Sequence, residues 1–167
     1  KRVSETPMGK TLPKVLPAEI ESVAVIWDGA PHSAFTDLIR FKDRWICVFR
    51  EGGSPSSYDG KLRIISSNDG QSWESAALLE SPGKDLRDPK LSRMPDGRLM
   101  LSAAERQQGG DTSEQTLAWN STDGRQWSKA ADLGEPNWRL WRITWRNGMG
   151  YSLAYSGKSS ATTVRLF

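Results

Sequence analysis

One cysteine, one histidine and no long apolar run set the first limits on this 167-residue chain. With Cys47 alone, no disulfide forms within the chain. Its place inside Trp45-Ile46-Cys47-Val48-Phe49 reads as a small buried hydrophobe rather than a reactive thiol. The longest uninterrupted apolar run covers residues 23–27, far short of the roughly 20 residues that a membrane-crossing helix takes, so no membrane span is expected. A Cys/His metal cluster, a phosphate-cradling glycine motif and a Ser-His-Asp spacing are all missing, and neither a metal nor a cofactor is expected. The first twenty residues hold three prolines and lack the apolar stretch of a secretory leader. Net charge is only +3 with histidine neutral, and the charges are scattered. That balance argues against a nucleic-acid partner and is compatible with an anionic small ligand. Helical periodicity is missing too, since no 3.6-residue apolar pattern runs long enough for a helix.

What the chain does have is a repeat. Ser67-Asn68-Asp69-Gly70-Gln71-Ser72-Trp73 and Ser121-Thr122-Asp123-Gly124-Arg125-Gln126-Trp127 share the pattern S-x-D-G-x-x-W, their serines 54 positions apart. The segments between these boxes recur as well. Leu38-Ile39-Arg40-Phe41 followed by residues 45–49 returns as Leu91-Ser92-Arg93-Met94 followed by Leu99-Met100-Leu101. It returns again as Ile143-Thr144-Trp145-Arg146 followed by residues 151–155. In each copy a tight turn separates two apolar segments: Lys42-Asp43, Pro95-Asp96-Gly97 or Asn147-Gly148, the signature of a hairpin. A third segment follows at 62–66, 116–120 and 163–167, and a fourth after each box at 75–79 and 129–133.

A complete unit is thus four short strands in about 53 residues, which describes a β-propeller blade. The fold class expected is all-β, with blades at 35–80, 87–134 and 139–167, and residues 1–21, rich in Pro and Lys, as an N-terminal arm or leader remnant. Within each box Asp suits hydrogen bonding to the amides of its own turn, Gly supplies a permissive backbone and Trp packs as a lid. The boxes therefore read as folding devices rather than catalytic or metal sites.

The S-x-D-G-x-x-W boxes resemble the Asp-boxes, or BNR repeats, of sialidase-like propellers, and the resemblance covers residues 22–167. His32-Ser33-Ala34-Phe35-Thr36-Asp37-Leu38-Ile39, Phe49-Arg50-Glu51-Gly52 and Asp85-Leu86-Arg87-Asp88-Pro89-Lys90-Leu91 are similar to bacterial, mostly exported exo-α-sialidase-like proteins. The resemblance implies a six-bladed ring of which about half is here, a periplasmic or secreted location, and a glycoside hydrolase acting on acidic glycans at the propeller mouth. It also implies three arginines on the sugar carboxylate, an Asp acid/base and a Tyr/Glu nucleophile pair. Ala34 stands where the first of those arginines belongs, and no Tyr/Glu pair is assignable. The alternative reading is a non-catalytic carbohydrate- or protein-binding propeller. A chain that stops within a third blade is expected to be a piece of a longer product. The alternative is self-association of copies through open blade edges, residues 22–27 serving as a closing strand.

Polar residues at the inner strand ends are the site candidates. Asp88, Asp37 and Glu51 are the candidate catalytic carboxylates; Arg87, Arg50, Arg139, Arg142 and His32 are the candidate substrate-binding residues. Arg87-Asp88 suits clamping an acidic sugar or moving a proton, with a structural ion pair as the alternative. His32 and Asp37 precede the equivalent strand, where a histidine is more often a loop hydrogen-bonder than a catalyst. Arg50-Glu51 and Glu105-Arg106 end two second strands, as site walls or as a recurring salt bridge. Arg139 and Arg142 stand among Trp138, Trp141 and Trp145, a combination suited to sugar stacking and carboxylate binding. The glycine pairs Gly52-Gly53 and Gly109-Gly110 read as loop punctuation.

Overall fold

A computed structural model describes residues 18–108, 113–156 and 163–167. Residues 1–17 of the expected 1–21 arm and the pair Gly109-Gly110 lie outside the described residues. Among those described, every regular element is a strand and there is no helix. β1 (His32–Phe41), β2 (Arg44–Gly52), β3 (Lys61–Ser67) and β4 (Glu74–Leu79) form one antiparallel meander in that order. A second meander repeats it with β5 (Asp85–Arg93), β6 (Leu99–Arg106), β7 (Glu114–Ser121) and β8 (Ala131–Leu133). Short loops and side chains alternating between two faces make this the cheapest way to pair consecutive strands.

The hairpin turns lie where the residue types point. Lys42 and Asp43 both take positive φ (45° and 58°), as do Asn147 and Gly148 (50° and 80°), the backbone that a two-residue hairpin demands. The third unit departs from the expected continuous strands. Its first strand is split into β9 (Arg139–Leu140) and β10 (Thr144–Arg146), and its second into β11 (Met149–Tyr151) and β12 (Leu153–Ser156). β10 and β11 make a separate hairpin, while β13 (Thr163–Leu166), β12 and β9 form a three-stranded sheet. Ser152 sits at the break in the second strand, its hydroxyl donating to the Trp141 carbonyl at 3.0 Å.

Strand alternation stacks the three larger sheets face to face. On β6, Leu99, Leu101 and Ala103 point to the first sheet's Ile46, Val48, Leu62 and Ile64, while Met100 points the other way, to Leu140, Ile143 and Ala154. On β7, Leu117 and Trp119 share the first core and Ala118 the second. The far face of the first sheet, Cys47, Phe49 and Ile65, is covered by Trp27 and Trp73. Cys47 is thus the buried hydrophobe its setting suggests; burial first, and then the Asp37 charge, push its thiol up to about 11.

Candidate functional site

β1, β5 and β9 are the edge strands on one side of the stack, and each bulges or breaks at the same place. The register slips between Ala34 and Asp37 on β1 and between Arg87 and Lys90 on β5. Phe35 and Asp88 occupy equivalent positions inside those bulges, both with positive φ (60° and 50°). A bulge re-aims the side chain that it carries. Positive φ at a non-glycine residue stores strain that the surrounding sheet must hold. Phe35 and Asp88 are turned into a cleft of about 490 Å³, completed by Lys90, Arg139, Leu140, Trp141 and Tyr155.

Arg139 is the centre of charge in this cleft. Its Nη1 donates to Asp88 and its Nε to Glu114, at the start of β7, and its guanidinium lies 5.7 Å from the Tyr155 ring centroid. Burial works against the charged form, yet the Glu114 hydrogen bond and the Glu114, Asp88 and Tyr155 electrostatics outweigh it and raise the Arg139 pKa. Tyr155 in turn meets Trp141 edge-on, ring centroids 6.3 Å apart. Trp141 is 60% exposed and Phe35 43%, so the cleft carries aromatic surface open to a ligand.

Arg87 and Asp88, adjacent in sequence, part company at the bulge. Arg87 donates its Nε to Asp85, not to Asp88, and its Nη2 to the carbonyls of Pro55 (2.9 Å) and Ser57 (3.3 Å). Arg50 reaches the other oxygen of Asp85 at 2.9 Å and the Ser54 and Ser57 carbonyls at 3.1 and 2.9 Å. Two guanidiniums therefore converge on one buried carboxylate and fasten loop 53–59 above β5. Gly60 donates its N–H to the same carboxylate at 3.0 Å. A Cβ at Gly60 would fall 2.0 Å from Asp85 Oδ1, so only glycine fits there.

Asp37 and Arg142 form a second tie. Asp37 accepts from the Leu91 N–H at 2.7 Å and from Arg142 Nη2 at 2.5 Å, while Arg142 Nη1 donates to the Leu91 carbonyl at 2.9 Å. All three units are joined at one residue, Leu91. Glu51 is held by Trp27 Nε1 at 2.6 Å and by Arg63. Its equivalent, Glu105, accepts from Ser81 at 2.5 Å and Lys84 at 2.5 Å. The recurrence between the two second strands is thus a glutamate; register places Ala104, not an arginine, at the position of Arg50. His32 opens β1 opposite Gly52, its Nδ1 buried without a hydrogen-bond partner among the described residues.

Of the sequence candidates, the structure brings Asp88 and Arg139 together in the cleft; Arg50, Arg87, Asp37, Arg142, Glu51 and His32 do not line it. Sequence reasoning missed Asp85, Glu114, Phe35 and Tyr155. Asp85 had a signal, since residues two apart on a strand share a face. Glu114 had none, because nothing local ties it to Arg139. Among the described residues, no group of three or more His, Cys, Asp or Glu side chains is placed to hold a metal ion.

No protein-family model and no curated protein matches the chain. Solved structures do. A protein of unknown function from Dyadobacter fermentans aligns with TM-score 0.63 and 17% identity over 81% of this chain and 50% of that one. Penicillium chrysogenum α-L-arabinanase complexed with arabinobiose aligns with TM-score 0.61 and 17% identity, covering 81% of this chain and 45% of that one. The GH93 α-L-arabinofuranosidase of Fusarium graminearum with arabinobiose gives TM-score 0.55 and 19% identity, covering 78% and 45%. This chain spans about half the length of the structures it matches. The two enzymes are β-propeller glycoside hydrolases, and the likeness shows that this chain has an all-β, propeller-type fold. It supports the propeller part of the sialidase-like resemblance; the sialidase part rests on the sequence motifs alone.

Proposed function

We propose that the cleft beside β1, β5 and β9 binds carbohydrate, and that the intact protein is a propeller-type glycoside hydrolase. The observation that supports this most is Asp88: a strained bulge turns a carboxylate with a quarter of its surface exposed into a cleft walled by Phe35, Trp141 and Tyr155. Aromatic faces suit the apolar faces of sugar rings. A carboxylate aimed at the bound sugar is the group that glycoside chemistry requires for moving a proton. Asp88 is the candidate acid/base and Arg139 orients it. Asp37, Glu51, Arg50, Arg87 and Arg142 are positioning residues, their polar atoms engaged with the protein. Under the sialidase-like reading the ligand is acidic, with Arg139 and Lys90 as its cationic partners.

One observation favours a second reading, the non-catalytic binding propeller. Among the described residues Asp88 is the only carboxylate lining the cleft, whereas hydrolysis ordinarily uses two. Asp88→Asn in the intact protein separates them. A hydrolase loses about 100-fold or more in kcat with sugar affinity nearly kept. A protein that binds glycans but turns over none, before and after the substitution, establishes the second reading instead.

A further inference from the structure

We infer that the sugar this cleft takes is uncharged, a neutral glycan rather than an acidic one; the inference rests on the carbohydrate reading above. Recognition of a sugar carboxylate calls for a guanidinium with two parallel donors free to meet both oxygens. Among the described residues, four arginines stand at the bulges of β1 and β5 and at the break after β9, and none is free in that way. Arg50 is fully buried and bound to Asp85 and two loop carbonyls. Arg87 is bound to the other oxygen of Asp85 and to the Pro55 and Ser57 carbonyls. Arg142 grips Asp37 and the Leu91 carbonyl.

Arg139, among the described residues the one guanidinium that lines the cleft, already lies between two carboxylates, Asp88 and Glu114. With Nε on Glu114 and Nη1 on Asp88, a third carboxylate from a ligand can reach Nη2 alone, and can take a two-point fork only by competing with one of them, which would leave that carboxylate poorly paired in a partly buried site. It would also meet Asp88 as a like charge. Lys90 adds one ammonium, whose Nζ donates to the Pro89 carbonyl at 3.1 Å, and it presents a point charge without the planar fork. With Glu114 counted behind Arg139, the two cations Arg139 and Lys90 are therefore balanced by two carboxylates, Asp88 and Glu114. What it offers a ligand in surplus is aromatic area, chiefly the 60% exposed Trp141 with Tyr155 against it. Neutral sugar faces stack on such surfaces without a charge to desolvate.

Calorimetric titration of the intact protein with two neutral disaccharides, arabinobiose and lactose, and two acidic ligands, digalacturonate and sialyllactose, tests this. The expected result is that a neutral sugar binds at least about tenfold tighter than either acidic one, with affinity nearly independent of salt. Trp141→Ala, an exposed substitution, should weaken that binding about tenfold while the thermal midpoint stays put. Tighter binding of an acidic ligand, falling steeply with salt, overturns the inference and leaves the carbohydrate reading standing. Absence of binding by every sugar overturns the carbohydrate reading, and this inference with it. Neutral binding that Trp141→Ala leaves intact removes the aromatic surface as its cause and overturns the inference as argued.

Discussion

Asp85 is fully buried and accepts from Arg50, Arg87 and the Gly60 amide, so one carboxylate compensates two guanidiniums and holds a loop in place. The two arginines come from opposite sides of equivalent pairs: β1 and β2 place Ala34 opposite Arg50, and β5 and β6 place Arg87 opposite Ala104. Each sheet contributes one arginine, and the exchange lets both reach a common partner at the join between sheets. Removing the partner is expected to cost far more than removing an exposed charge. Asp85→Ala should destabilise the protein by about 3–5 kcal/mol, because two buried cations lose their shared buried counter-ion and Arg50 keeps only the exposed Asp59, 3.8 Å away. Urea denaturation of the variant reads this directly, and a midpoint within error of the parent's would show that the loop carbonyls alone satisfy the arginines. The residue scale is also where the sequence was hardest to read. That Arg87 and Asp88 stand near an inner strand end was legible from the sequence pattern, and the structure sets them within β5. That they serve different partners was not, because the bulge that separates them follows from backbone geometry rather than from either side chain's chemistry.

At the scale of elements, the S-x-D-G-x-x-W turns behave as their composition implies. Asp69 Oδ1 accepts from the Gln71 and Ser72 amides at 2.8 Å each, and Asp123 Oδ1 does the same for Arg125 and Gln126 at 2.8 Å each. Ser67 and Ser121 bond the following glycine amides at 2.8 Å, and both glycines take positive φ (77° and 74°). Five residues within one turn satisfy one another, which is why this element was legible from a local pattern, as were the hairpin turns. The split strands of the third unit were not legible, because their breaks depend on Ser152 and Trp141 meeting across the sheet. Asp123→Ala should cost about 1 kcal/mol, by analogy with loss of a helix-capping side chain. Backbone hydrogen bonds, from Gln126 and Arg125 at Asp123 and from Ser72 and Gln71 at Asp69, hold both carboxyls below the ordinary value of 3.8. A carboxyl whose folded pKa is depressed contributes stability that is present above its unfolded pKa and lost as pH falls through the folded one. Stability should therefore fall as pH drops below 3.8, and Asp123→Asn should flatten that part of the profile in thermal melts. A parallel profile for the variant would place the acid sensitivity elsewhere.

For the molecule as a whole, the two interfaces between sheets are unequal. The first is built from side chains with no exposed surface, Val48, Leu62, Ile64, Leu86, Leu91, Leu99 and Leu101 among them. The second rests on Met100, Ala118, Leu140, Ile143 and Ala154, and the far face of the third sheet leaves Leu153 (58%), Val164 (64%) and Leu166 (64%) exposed. A sheet of short strands buried on one face has less to lose on opening than one packed on both. Native-state hydrogen exchange should therefore find β2, β3, β6 and β7 protected up to global unfolding, and β9 and β12 opening earlier as a separate unit. The cleft spans this division: Asp88 and Lys90 belong to the second sheet, while Arg139 and Tyr155 belong to the third. A sugar that bridges them binds only the closed arrangement and must stabilise it by mass action. Saturating glycan should then slow exchange selectively in β9 and β12, leaving β2 and β3 unchanged. Uniform slowing across all strands would mean that the three sheets open together, and slowing confined to the first sheet would move the binding site away from Asp88 altogether.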